Sequence, residues 1–279
     1  MKWNIVLDSS CDLLKTDKIF KNANLKLAPL TINVGDKEFI DDDNIDVEQL
    51  LTAMHREKRA SSSACPSPET FLSNFEDADC SICITMTGAL SGTNNSARLA
   101  KNMLQEEYPD KKIHIIDSHA TGGVMVLLAK KADELIGKGL SFEEISKQLD
   151  EYNSHLGFVF SLMHFDNLIK TGRMKAFTGI VASHLGIRVI AKNTANGEIE
   201  VVDKVRGEDR TLHALVDFIA SRKDLSEKPI VINHCNNLSA VEKLKEIIKE
   251  KCNTTDITVL NSKGITTFYS MDKGLLISY

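Results

Sequence analysis

The sequence predicts an α/β protein of two domains: a mostly parallel sheet with flanking helices in the N-terminal domain, and a mixed α/β C-terminal domain. Three observations carry this. Short apolar runs alternate with helical patterns through the first half, which is the signature of a parallel sheet with helices on both faces. The pattern changes near residue 155, where a hairpin signal, Asn196-Gly197, enters. The length, 279 residues, suits one large domain or two ordinary ones, and 42% hydrophobic with 26% charged residues is typical of a globular chain. The expected division is 1–154 and 155–279, and no proline- or glycine-rich linker marks it.

Along the chain, Trp3–Asp8 reads as a strand running into a polar turn, and Leu13–Lys21 as a short helix. Leu25–Val34 reads as a further strand, and Asp46–Glu57 as a helix capped by Asp46. Ala60–Pro68 is a small-residue loop, and Pro68 suits the first turn of a helix over Glu69–Phe75. Cys80–Thr87 is a strand, followed by a glycine-containing turn and a helix opening at Ser91 and ending near Glu107. Ile113–Asp117 is a strand and Ala120–Gly137 a helix. Ser141–Asn153 is a helix whose Ser141 and Glu144 have capping-box spacing. Then come strands Gly157–Leu162, Ile187–Lys192, Glu198–Lys204, Pro229–His234 and Asp256–Asn261, and helices Arg210–Arg222 and Ala240–Lys251.

Several functional classes are disfavoured. The net charge is −5, with no basic stripe of the kind nucleic-acid binding uses. The apolar N-terminal run, Trp3 to Leu7, is too short for a signal peptide, and nothing approaches the roughly 18 apolar residues of a membrane helix. A cytoplasmic protein without a membrane anchor is expected, with its six cysteines as free thiols. Cys80 and Cys83 share a strand three positions apart, so their side chains should point to opposite faces rather than to one metal. His155, His164 and His184 form no metal-ligand pair, and no metal or cofactor is expected.

The turn Gly88-Ala89-Leu90-Ser91-Gly92-Thr93 joins a strand to a helix N-terminus, where unpaired backbone N–H groups suit an anion. Ser91 either caps its own helix or serves a ligand there. A P-loop is excluded because Gly92 is followed by Thr93-Asn94-Asn95 and not by lysine. The loop Ser61–Pro68 presents several hydroxyls or is an ordinary connection. No Gly-x-Ser-x-Gly elbow occurs, which counts against a hydrolase. Lys170-Thr171-Gly172-Arg173 and Arg206 are solvated turns or points that meet a phosphate or an acidic partner.

In chain order these segments resemble the DegV family of fatty-acid-binding proteins. Asp8-Ser9-Ser10-Cys11-Asp12-Leu13 resembles its opening Asp-Ser-Ser-x-Asp-Leu, and Pro29-Leu30 and Phe39-Ile40-Asp41-Asp42 resemble the next signposts. Ser63-Ala64-Cys65-Pro66-Ser67-Pro68 resembles Thr-Ser-Gln-Pro-Ser-Pro, and Leu90-Ser91-Gly92-Thr93 with Ser96-Ala97 resembles Leu-Ser-Gly-Thr with its Ser-Ala. Asp117-Ser118 and Lys170-Thr171-Gly172-Arg173 follow in order. The resemblance implies a carrier, not an enzyme, that holds one long-chain fatty acid in a tunnel between two domains. It implies head-group contacts at Ser63, Ser91, Gly92 and Thr93, and presentation of the acid to a separate fatty-acid kinase that makes the acyl phosphate for phospholipid metabolism. Arg173 and Arg206 match basic positions and imply contact with that kinase. Four departures are visible. Ser63 stands for threonine, Ala64-Cys65 for Ser-Gln, and Val189 for proline, and the C-terminal His-x-Gly-Pro-Gly element is absent from Thr266–Asp272. Two rival readings stay open: a carrier of another acidic apolar ligand, such as an isoprenoid or sterol acid, or an acyl-transferring enzyme with Ser91 or Cys65 as nucleophile.

Overall fold

A computed structural model describes residues 1–174, 186–222 and 224–279. Strand β1 (Trp3–Asp8) is buried at every position, as befits a parallel strand covered on both faces. Asp8 then caps a 3₁₀ turn at Ser9–Cys11 through the Ser10 N–H at 3.0 Å.

Leu13–Lys21 is not the expected helix. Carboxylates take its backbone donors: Asp17 accepts from Leu14, Asp43 from Lys15, and Asp133 from Lys21, Asn22 and Ala23. Amides bound to side chains are lost to an i→i−4 ladder. The expected strand Leu25–Val34 is two strands, β2 (Asn24–Ala28) and β3 (Thr31–Val34), in different sheets. The break falls at Pro29, which has no N–H for a ladder. Strand β3 pairs antiparallel with β4 (Lys37–Ile40), then α1 (Val47–Arg56) follows, capped by Asp46 at the Gln49 N–H, 2.8 Å. The small-residue loop contains a short strand, β5 (Ser62–Ala64), on the other edge of β3.

Helix α2 (Pro68–Phe75) starts at its proline as expected. Strand β6 (Cys80–Thr85) leads to α3 (Thr93–Glu107), which begins two residues later than Ser91, with Gly92 as its N-cap. Strand β7 (Lys112–Asp117) is followed by α4 (Gly123–Gly137), three residues later than Ala120, and α5 (Phe142–His155) with its reciprocal Ser141–Glu144 capping box. The parallel order is β2-β1-β6-β7. Helices α2 and α3 cover one face, where Val6 and Cys83 meet Phe71, Phe75, Ala97 and Leu104. Helices α4 and α5 cover the other, which takes Ile5, Leu7, Cys80, Ile82 and Ile84. Cys80 and Cys83 therefore diverge as their spacing requires.

The second sheet is built from β8 (Phe158–Leu162), β9 (Ile187–Asn193), β10 (Ile199–Arg206), β11 (Ile230–His234), β12 (Ile257–Asn261) and β13 (Leu275–Ser278). Between them lie α6 (Asp166–Lys170), α7 (Glu208–Ala220), α8 (Leu238–Cys252) and α9 (Gly264–Ser270). The order β10-β9-β8-β13-β11-β12 is mixed: only β11 and β12 run parallel. The β9–β10 hairpin turns at Asn196-Gly197, with Gly197 at φ +79° and its N–H on Thr194 O at 2.9 Å. Helices α7 and α8 cover the outer face of this sheet.

Helix α4 touches β1 and β6 on one side and β11 and β13 on the other. That position explains why Val124 to Ala129 are buried without interruption, since a helix packed on two sides is apolar all round. Gly123 permits the approach: a Cβ there would lie 2.6 Å from Val231 Cβ.

A carboxylate clasp joins the start of the chain to α9. Asp12 Oδ1 accepts the Lys263 N–H at 2.8 Å and its Oδ2 the Asn233 side-chain amide at 2.7 Å. The two oxygens of Asp41 accept the N–H groups of Gly264 and Ile265 at 2.8 and 2.9 Å. Burial pushes Asp8 up to about 6 and Asp12 up to about 7 from the usual 3.8, and raises Asp41 as well. The hydrogen bonds oppose burial without cancelling it.

The folded chain therefore retains protons that the unfolded chain has released between about pH 4 and pH 7, and the stability from these groups falls as pH rises through that window. Asp12→Asn has no such charge to bury. Thermal melts should show the variant gaining on the wild type between pH 5 and pH 8; a gap independent of pH would refute the assignment to Asp12.

Candidate functional site

All four parallel strands end at one cavity. Ser10 follows β1, Leu30 follows β2, Met86 and Thr87 follow β6, and His119 to Thr121 follow β7, and all of them line it. Ligands of open α/β sheets lie outside the carboxyl ends of the strands, and this cavity occupies that position. It encloses about 820 Å³ of atom-free space, its open mouth included.

The opposite wall is apolar. Strand β8 turns Phe158, Phe160 and Leu162 to the cavity by its two-residue alternation, and Leu276 of β13 lies beside them. Helix α9 contributes Ile265, Thr266, Tyr269 and Ser270 from one face. The β9–β10 hairpin closes another side through Thr87 Oγ1, which donates to Gly197 O at 3.0 Å, and Asn193 Nδ2, which donates to His119 O at 3.0 Å. Gly197 is required there, because a Cβ would fall 2.1 Å from Thr87 Oγ1.

Ser63 and Ser91, the two serines singled out in the sequence, line this same cavity. Ser63 sits mid-strand in β5, opposite the fully buried Ile32, and alternation turns it inward between exposed Ser62 and Ala64. Ser91 sits in the turn before α3. Asp117 holds that turn through the Gly88 N–H at 3.0 Å, and Leu90 N–H returns to Thr87 O at 3.3 Å. The two segments are fastened together. Ser96 Oγ donates to Pro66 O at 2.7 Å, and Cys65 Sγ lies 3.2 Å from where a Gly92 Cβ would be.

Ser91 Oγ accepts the Thr93 N–H at 3.3 Å and shares a hydrogen bond with Thr93 Oγ1 at 2.8 Å. Ser63 Oγ lies 3.0 Å from the Tyr269 hydroxyl. Gly92 and Thr93 are not among the residues that line the cavity: Thr93 is fully buried, and Gly92, the α3 N-cap, is exposed to solvent. Arg173 lines the cavity beside the Ser91 turn, its Nε donating to Leu90 O at 3.2 Å and its Nη1 to Thr171 O at 2.9 Å. Arg206 is exposed at the end of β10, away from the cavity wall. His155 Nδ1 meets Glu151 O at 2.8 Å in its own helix, His164 is exposed, and His184 lies outside the described residues. Among the described residues no group of three or more histidines, cysteines or carboxylates is placed to hold a metal.

Tyr269 escaped the sequence reading. It lies 206 positions from Ser63 on a helix that the local sequence does not announce. Cys65 alone of the six cysteines is exposed; burial raises Cys11, Cys83 and Cys235, the last to about 11. A brief native treatment with maleimide should thus modify one thiol per chain, and none in Cys65→Ser. Labelling that persists in the variant would contradict this exposure pattern.

Fold and cavity together define an α/β protein with an apolar ligand chamber at the strand ends of its parallel sheet. A family model described as "Uncharacterised protein, DegV family" matches residues 2–273, and the chain belongs to this family. A DegV domain-containing protein of Streptococcus pyogenes serotype M3 is 40% identical over 279 residues, covering 100% of this chain and 99% of the relative. The crystal structure of the Streptococcus pneumoniae fatty acid kinase (Fak) B3 protein loaded with linoleic acid is 38% identical, with a TM-score of 0.95 over 100% of this chain and 99% of that one. A DegV family protein from Eubacterium eligens loaded with heptadecanoic acid is 31% identical, with a TM-score of 0.93 over 99% and 98% of the two chains.

Proposed function

We propose that this chain is a non-covalent carrier of one long-chain fatty acid. The observation that carries this reading is the cavity itself: apolar walls from β8, α9 and the strand ends, with neutral hydroxyls at Ser63 and Ser91. Relatives that share the whole fold are loaded with linoleic and heptadecanoic acids, which supports it.

The physics suits a carboxylate on an aliphatic tail. An ionised carboxylate accepts hydrogen bonds and donates none. Hydroxyls that donate to it contribute about 1.5–3 kcal/mol each. A buried methylene adds roughly 0.8 kcal/mol, so a tail of about 14 carbons adds about 10 kcal/mol before the ordering cost of binding is subtracted. Ser91 is a proposed donor and Ser63 a second polar group of the same head-group site, with Gly92 and Thr93 holding the turn that aims Ser91. In this reading residues 1–154 and 155–279 are two domains and the cavity is the tunnel between them.

The chain then presents the carboxylate to a separate kinase, which supplies the ATP chemistry. Arg173 beside the cavity and exposed Arg206 are the proposed kinase contacts. Such an exchange belongs in the cytoplasm. No helix among the described residues is long and apolar enough to cross a membrane.

Native mass spectrometry of freshly purified protein should find one long-chain fatty acid per chain. Protein that arrives empty and refuses added oleic acid would overturn the proposal. Ser91→Ala should weaken oleic acid binding by about 1–2 kcal/mol, roughly tenfold, in a titration at neutral pH. An unchanged dissociation constant would remove Ser91 from the head-group site.

A further inference from the structure

We infer that Tyr269 binds the ligand's carboxylate directly, and that Ser63 serves chiefly to orient it. This rests on the fatty-acid reading above and assigns the head-group contact within it. Tyr269 and Ser63 both line the cavity, and their hydroxyls are 3.0 Å apart. Each hydroxyl carries one proton, and their mutual bond uses one of the two. One proton is left for a ligand, and its owner is set by chemistry. A phenol is the stronger donor and the poorer acceptor of anion-directed hydrogen bonds than an alkyl alcohol. With an anion in the cavity, the favoured order is Ser63 O–H to Tyr269 oxygen, and Tyr269 O–H to the carboxylate.

The phenol is also well anchored for that task. Its ring meets Phe268 edge-on, with centroids 4.8 Å apart. Its helix, α9, is pinned at the N-terminal end by Asp41 and, through Lys263 N–H, by Asp12. Ile265, Thr266 and Tyr269 share the cavity-facing side of that helix, so Tyr269 points where a ligand must lie.

A hydroxyl donated to an ion is worth more than one donated to a neutral oxygen, so Tyr269 also discriminates against uncharged lipid heads. The test compares oleic acid with oleyl alcohol, of equal chain length, by titration at neutral pH. Tyr269→Phe keeps the ring and its packing. It should weaken oleic acid about tenfold and leave the alcohol within about twofold. In a Ser63→Ala background, Tyr269→Phe should still weaken oleic acid severalfold.

Equal losses for acid and alcohol would mean that the ring only packs, and would overturn the inference. So would an unchanged affinity for the acid. A Tyr269→Phe effect that vanishes in Ser63→Ala would make Tyr269 a positioning residue for Ser63, the reverse of the order inferred. Wild-type protein that binds no oleic acid would overturn this inference and the carrier reading together. Wild-type binding with any of the other adverse results overturns the inference alone.

Discussion

Asp12 and Asp41 accept the backbone N–H groups of Lys263, Gly264 and Ile265 across 251, 223 and 224 residues of chain. Those three bonds give α9 its starting point and its direction. A seven-residue helix has little stability of its own, because nucleation is unfavourable and few hydrogen bonds follow it. Here the carboxylates satisfy the donors that its first turn leaves open. The cavity wall made by Ile265, Thr266 and Tyr269 exists because that clasp exists. The buried carboxylates are costly to keep ionised, and the structure tolerates them by giving each oxygen a backbone or amide donor.

Two further devices hold the cavity's sides in register. Helix α4 packs against both large sheets, so the parallel sheet cannot shift without moving β11 and β13. The β9–β10 hairpin is tied to the strand ends by Thr87 and Asn193. Neither contact involves the serines, yet together they set the distance between the apolar wall and the polar turn. Ser63 and Ser91 in turn ride on neighbouring segments joined through Pro66 and Gly92.

What the sequence reveals here divides by the range of the interaction. Helix α1 with its Asp46 cap, α2 with its leading proline, and α5 with its capping box carry their boundaries in adjacent residues. The Asn196-Gly197 hairpin does the same. Leu13–Lys21 misleads because Asp133, over a hundred residues away, captures its backbone. Strand β5 looks like a loop because its serines form a strand only against β3. Helix α9 is hidden because Thr266-Thr267-Phe268-Tyr269 has the β-branched and aromatic character of a strand, and only distant carboxylates override it. At the candidate site, Ser63 and Ser91 are legible through the ordered motifs around them and do face one cavity. Tyr269 stands in no motif, and only the folded chain brings it to Ser63.

Strand β13 comes after β8, β11 and β12 in the chain, yet it lies between β8 and β11. Until Leu275–Ser278 are in place the second sheet is two separate pieces, β10-β9-β8 and β11-β12. The parallel sheet, complete by Asp117, needs no such wait. Without β13, the strand that carries Phe158 and Phe160 has no neighbour on that side. The last strand is therefore the one that makes the second sheet continuous and gives the wall of Phe158 and Phe160 its support from β11 and β12.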